Sequence, residues 1–166
     1  MASLPTTVSV VPGRAATALS AAGEICIVSI VRSGDILAEA VRRLNPAAST
    51  GKILIQRDEN DPEKKAQLLY SKLPPHIKER KVVLCDPMLA TGGSAIRALR
   101  VLQDAGVQPS NVTFFNVISC PQGLQALADA FPQVAIVTLA VDPGLNDDKF
   151  IVPGLGDFGD RYFGTM

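Results

Sequence analysis

The chain has 166 residues, and its 16 Lys+Arg are matched by 16 Asp+Glu, giving a formal net charge of zero. Hydrophobic residues make up 47% and charged residues 19%, which excludes a disordered chain. The balanced charge lacks the basic excess that phosphate contacts leave in nucleic-acid binders, so no nucleic-acid partner is expected. The length suits one domain, residues 1–166, with a core of its own.

Cys26, Cys85 and Cys120 each lie in or at the end of an apolar run. Their odd number and the absence of CxxC spacing point to neither a disulfide framework nor a zinc site, and buried reduced thiols are expected. The first residues, MASLPTTVSVVPGR, lack the charged and apolar regions of a secretory signal. Gly23 and Glu24 interrupt the apolar stretch Ala15–Val31, which is thus too short for the roughly 20 residues of a membrane helix. A cytoplasmic protein without a membrane partner is expected.

In chain order, residues 1–24 are atypical, with VSVV an isolated β-like run. Ile25–Val31 (ICIVSIV) is a continuous β-branched run, as in a strand covered on both faces. Gly34 follows, then ILAEAVRRLN, whose Ile36, Leu37, Ala40, Val41 and Leu44 share one helical face. Gly51–Arg57 is a second strand. The polar, turn-prone Asp58–Lys65 and strand-like Ala66–Leu73 complete a hairpin that protrudes from the sheet. Lys81–Asp86 is a third core strand, followed by a helix over Ser94–Ala105 that Gly106 ends. Asn111–Ser119 is a strand, Pro121–Ala130 a helix with proline in its first turn, and Gln133–Ala140 a strand. Val141–Met166 reads as a structured loop. This alternation predicts an α/β fold, an open parallel sheet flanked by helices.

Open parallel sheets bind ligands beyond the carboxyl ends of their strands. Ala90-Thr91-Gly92-Gly93-Ser94 sits at such an end and opens a helix. Small residues let successive N–H groups face one concavity, the helix N-terminus adds a positive dipole end, and Thr91 and Ser94 add hydroxyls. That pattern suits a phosphate cradle, with Asp86 at the strand tip placed to bind sugar hydroxyls. A tight turn capped by Thr91 or Ser94 is the competing reading. No Lys follows the glycines, which excludes a Walker loop. Gly154, Gly156 and Gly159 match GxGxxG by spacing, but a dinucleotide site needs the motif between strand and helix with an acid further on, and it is set aside. His76, the single histidine, is given no role.

DPMLATGGS (Asp86–Ser94) resembles the phosphoribosyl-diphosphate signature of uracil phosphoribosyltransferases. IVSIVRSG (Ile27–Gly34) is similar to that family's segment around a diphosphate-binding arginine, and IQRDE (Ile55–Glu59) to the strand end with its second arginine. FIVPGLGDFGDRYFGT (Phe150–Thr165) resembles its uracil-binding loop, in a form like the eukaryotic branch. The four motifs occur in the family's order.

The resemblance implies a type I phosphoribosyltransferase fold, with the hairpin as a flap and the C-terminal loop holding the base. It implies a glycosyltransferase of pyrimidine salvage that makes UMP and diphosphate from uracil and phosphoribosyl diphosphate. Arg32 and Arg57 would contact phosphoribosyl diphosphate. Asp86, Pro87, Met88, Leu89, Ala90, Thr91, Gly92, Gly93 and Ser94 would hold its ribose and 5′-phosphate. Ile151, Gly156, Asp157 and Phe158 would frame uracil, largely through main-chain groups. Asp86, Arg57 and Asp157 would be the catalytic set, and Asp157 would also face the diphosphate or its Mg²⁺, the implied cofactor. A homodimer or homotetramer, and GTP as an effector in some members, are implied as well. Each arginine alone could instead serve a surface salt bridge, and Asp157 or Asp160 could cap loop turns. The family carries further segments ahead of the region seen here, so a weak or inactive homologue that binds phosphoribosyl ligands is the alternative. Purine enzymes commonly show two adjacent acids before the loop, whereas Pro87 follows Asp86 here.

Overall fold

The computed structural model describes residues 8–10, 25–57 and 66–166. The expected turn Asp58–Lys65 and most of the N-terminal region lie outside the described residues.

Strand β1 is Val8–Val10, β2 is Ile25–Val31, and helix α1 is Gly34–Leu44. Strands β3 (Ser49–Arg57) and β4 (Ala66–Lys72) follow, then β5 (Lys81–Cys85) and the two-residue β6 (Met88–Leu89). Helix α2 is Gly93–Asp104, β7 is Val112–Ser119, α3 is Pro121–Ala130 and β8 is Ala135–Val141. The chain closes with β9 (Gly144–Leu145), β10 (Ile151–Val152) and the short helix α4 (Phe158–Phe163).

The described strands form an eight-stranded sheet in the order β1-β8-β7-β5-β2-β3-β4, with β6 also pairing β7. Every pair is parallel except β3 with β4. The hairpin expected after β3 is therefore present at the edge of the sheet, with both its strands.

β2 shows why its sequence reads as one unbroken apolar run. Cys26, Val28 and Ile30 belong to the core beneath α2 and α3. Ile25 and Ile27 belong to a second core, with Leu37 and Val41 of α1. β5 repeats the division, with Val82 and Leu84 on one face and Val83 and Cys85 on the other. Successive strand side chains point to opposite faces, so helices must cover both.

Two readings change at the termini. The VSV run is not isolated: β1 pairs in parallel with β8, Val8 opposite Ile136. The last segment is not merely a loop, because β9 and β10 pair antiparallel, Ile151 opposite Leu145, and α4 follows. Ile118, Cys120 and Ile151 form a small third core that anchors this segment against the sheet, with Met88, Ala90 and Leu155 packed around it. All three cysteines are free and buried, as expected.

Candidate active site

The carboxyl ends of β2, β3 and β5 and the C-terminal segment surround one cleft of about 690 Å³. Its wall includes Arg32, Ser33, Gln56, Asp86, the run Met88–Ala95, Lys149–Ile151 and Gly156–Asp160. Four widely separated stretches of sequence thus meet on one rim.

The loop after β5 is shaped by its own backbone. Asp86 is 9% exposed and its amide donates to the Phe115 carbonyl at 3.2 Å. Pro87 offers no N–H, and its carbonyl accepts from both Val117 and Ile118 at 3.0 Å. The chain then rejoins β7 through β6. Gly92 adopts φ +85° ahead of α2, a left-handed conformation that costs other residues strain. Neither Thr91 nor Ser94 caps the helix with its side chain, since the N-cap position is Gly92.

Among the described residues, none of the amides from Thr91 to Ala95 donates to another group of the protein. The first in-line bond is Ile96 to the Gly92 carbonyl, 2.9 Å. These amides open on the cleft at the N-terminus of a 12-residue helix, the arrangement that attracts an anion. The competing reading, a plain turn closed by a hydroxyl cap, does not describe this geometry.

Behind the loop, Cys120 donates its thiol to the Ala90 carbonyl at 3.1 Å, and its amide donates to Leu89 at 3.3 Å. Burial pushes the Cys85 thiol up to about 12, with the neighbouring Asp86 charge adding to the effect.

Of the residues singled out in the sequence, Arg32, Asp86, Met88, Leu89, Ala90, Thr91, Gly92, Gly93, Ser94, Ile151, Gly156, Asp157 and Phe158 all border this cleft. Pro87 is buried behind its wall. Arg57 ends β3, its backbone opposite Ala66, and its side chain lies outside the described residues. Ile151 is 3% exposed, with its side chain in the third core.

The two tail aspartates divide their work, the capping reading describing Asp157 and the pairing of Asp160 being the part the sequence did not indicate. Asp157 caps α4, its Oδ1 accepting the Asp160 amide at 2.9 Å. Asp160 instead pairs with Arg32, Oδ1 to Nη2 at 2.6 Å. The Thr165 hydroxyl and the Arg32 guanidinium hold the Asp160 carboxyl below the usual carboxylate range. Lys149 and Phe150 also reach the cleft wall. Phe150 opens the tail motif and Lys149 directly precedes it, which is the sequence signal for both.

Among the described residues, no three acidic, His or Cys side chains gather as a metal cage. Mg²⁺ commonly keeps one or two carboxylates and takes the rest of its shell from substrate phosphates and water. Asp86 and Asp157 on one cleft wall fit that donor set.

A family model described as uracil phosphoribosyltransferase matches residues 2–165. The chain belongs to that family. The uracil phosphoribosyltransferase of Dictyostelium discoideum is 45% identical over 160 residues, 96% of this chain and 73% of that protein. That of Saccharomyces cerevisiae is 52% identical over 141 residues, 85% of this chain and 64% of that protein. A solved structure of a protein from Aquifex aeolicus superposes with a TM-score of 0.79 at 38% identity, covering 85% of this chain and 65% of that one. The chain thus spans roughly two thirds to three quarters of the length of these relatives. The α/β fold with its mostly parallel central sheet is that of the type I phosphoribosyltransferases, as the sequence resemblance implied.

Proposed function

We propose that this chain transfers the phosphoribosyl group of phosphoribosyl diphosphate to uracil, giving UMP and diphosphate. The observation that carries the reading is the single cleft wall shared by Arg32, the amide-rich loop of Asp86–Ser94 and the Gly156–Phe158 tail, which lie in separate parts of the sequence. Family membership supports the same reading.

The chemistry needs no covalent nucleophile. A ring nitrogen of uracil forms a bond to the anomeric carbon as the bond from that carbon to the diphosphate oxygen breaks; the bonding pair leaves with diphosphate, and the proton of that ring nitrogen is released to solvent. The sugar is oxocarbenium-like in between, so the protein must position the reactants and stabilise the departing charge. The free amides of Thr91–Ala95 would hold the 5′-phosphate. Asp86 would accept from the ribose hydroxyls. Arg32 and Arg57 would meet the diphosphate. Backbone groups near Gly156 and Phe158 would read the edge of the base, with Ile151 contributing main chain because its side chain is buried. Asp86 and Asp157 would hold Mg²⁺ together with the substrate phosphates, supplying charge neutralisation for the leaving group. The β3–β4 hairpin would act as a flap that keeps water from the sugar cation.

Among the described residues, no helix is long and apolar enough to cross a membrane. We further propose a cytoplasmic homodimer or homotetramer without nucleic-acid partners, open to GTP as an effector. Light scattering with and without GTP would report the assembly.

Incubating the protein with labelled uracil, phosphoribosyl diphosphate and Mg²⁺ should give UMP, with no product from hypoxanthine or adenine. Binding of phosphoribosyl diphosphate without turnover would instead mark an inactive homologue. Turnover of a purine base would overturn the uracil assignment.

A further inference from the structure

Arg32 and Asp160 are 128 residues apart in sequence, yet the guanidinium of one is held by the carboxylate of the other at 2.6 Å. Two more tail residues complete the grip. The Thr165 hydroxyl accepts from Arg32 Nη1 at 3.1 Å and itself donates to Asp160 Oδ1 at 2.6 Å. The Phe163 ring lies beneath the guanidinium, 5.1 Å from Cζ to the ring centroid. The group is therefore fixed by two hydrogen bonds in its plane and by a ring on its face.

An isolated surface ion pair contributes little, because two long side chains must be immobilised to make it. Here the order is supplied by tertiary packing. Asp160 sits in a helix turn capped by Asp157, and Gly159 packs against Ser33, next to Arg32. Only two of the five N–H donors of Arg32 are engaged, so three stay available to an incoming anion among the described residues. An arginine whose fork is already oriented loses less freedom when it binds phosphate oxygens.

We propose that Asp160, with Thr165 and Phe163, is a positioning residue that preorganises Arg32 for the diphosphate end of phosphoribosyl diphosphate. This rests on the reading of the cleft given under Proposed function. It assigns the tail two tasks: residues 156–158 face the base, and residues 160–165 aim the arginine. Asp160 touches no reacting atom; it acts through Arg32.

Calorimetry with phosphoribosyl diphosphate and Mg²⁺, and separately with UMP, tests this without requiring turnover. Asp160→Ala should weaken phosphoribosyl diphosphate about tenfold and leave UMP, which has no diphosphate, within twofold. Asp160→Asn keeps an acceptor oxygen and should restore most of the lost affinity. A merely structural role would weaken both ligands together, and that result would overturn the proposal. So would an Asp160→Ala protein that binds phosphoribosyl diphosphate like the wild type. Should Asp160→Ala not fold, Thr165→Val carries the same test, with about threefold weaker phosphoribosyl diphosphate expected and unchanged UMP. If the wild type binds neither ligand, the reading of the cleft fails and takes this proposal with it. If the wild type binds both and the variants match it, this proposal alone fails.

Discussion

Gly123, in the first turn of α3, presses against the loop that faces the cleft: a Cβ there would stand 2.6 Å from the Leu89 carbonyl oxygen and nearer still to that of Ala90. The contact is backbone against backbone, so neither partner can swing aside. Gly123→Ala should therefore push the loop out of place, costing about 1–3 kcal/mol of stability by overpacking. Denaturant unfolding would measure the loss. The same variant should show a raised KM for phosphoribosyl diphosphate, since the displaced stretch carries the open amides.

Gly92 makes a different demand. Its neighbours leave room for a methyl group, since a Cβ at this position would have Ala126 Cβ as a near neighbour at 3.4 Å, but its φ is +85°. Gly92→Ala should cost about 1–2 kcal/mol through backbone strain alone. Restoring the allowed dihedral would turn the following amides, so affinity for phosphoribosyl diphosphate should fall more than stability does.

Asp157 can be separated into cap and carboxylate. Asn caps a helix about as well as Asp, whereas Ala does not. Asp157→Ala should lower Tm by about 2–4 °C, the shift expected for a cap of about 1 kcal/mol in a domain of this size. Asp157→Asn should keep Tm near that of the wild type. If the charge faces the diphosphate and its cation, kcat/KM should fall sharply in both variants. Equal activity in wild type and Asp157→Asn would leave the residue only its capping role.

The thiols predict a response to alkali. Burial raises the Cys85 pKa to about 12 and also raises that of Cys26. A raised value means that the folded state holds the proton after the unfolded state has released it. For Cys85 the stabilising contribution is whole below about pH 9 and declines as pH rises from about 9 to 12, by roughly 1.4 kcal/mol per pH unit, and Cys26 acts in the same direction. Unfolding free energy should fall across that window, and Cys85→Ala should flatten the slope. At pH 8 a thiol reagent should label the native protein slowly and the unfolded protein at once.

How much of this was legible in the sequence depends on distance along the chain. β2 and α3 fall where the pattern placed them, Ile25–Val31 and Pro121–Ala130, because a doubly covered strand and a Pro-initiated amphipathic turn are local signals. The junction from β5 through the small residues into α2 was legible for the same reason, as strand, small residues and helix are contiguous. The tail was not. Its two-residue strands and six-residue helix have no periodicity to read, and side chains rather than a repeat hold it in shape. Asp142 accepts the Gly154 amide at 2.7 Å and Asn146 the Phe150 amide at 2.9 Å. The Arg32–Asp160 pair carries no local signature whatever, since its partners meet only after the sheet has formed. The pairing of β1 with β8 was hidden for the same reason.

The shared direction of β2, β5, β7 and β8 has a practical corollary for protein engineering. The described connections that lead into β5, β7 and β8 lie on the side of the sheet away from the cleft. The turn at Gln108–Ser110 is one such place, and Gln108 and Ser110 are exposed. A reporter tag or split-protein fusion spliced there would hang from the far pole and leave the ligand entrance unobstructed.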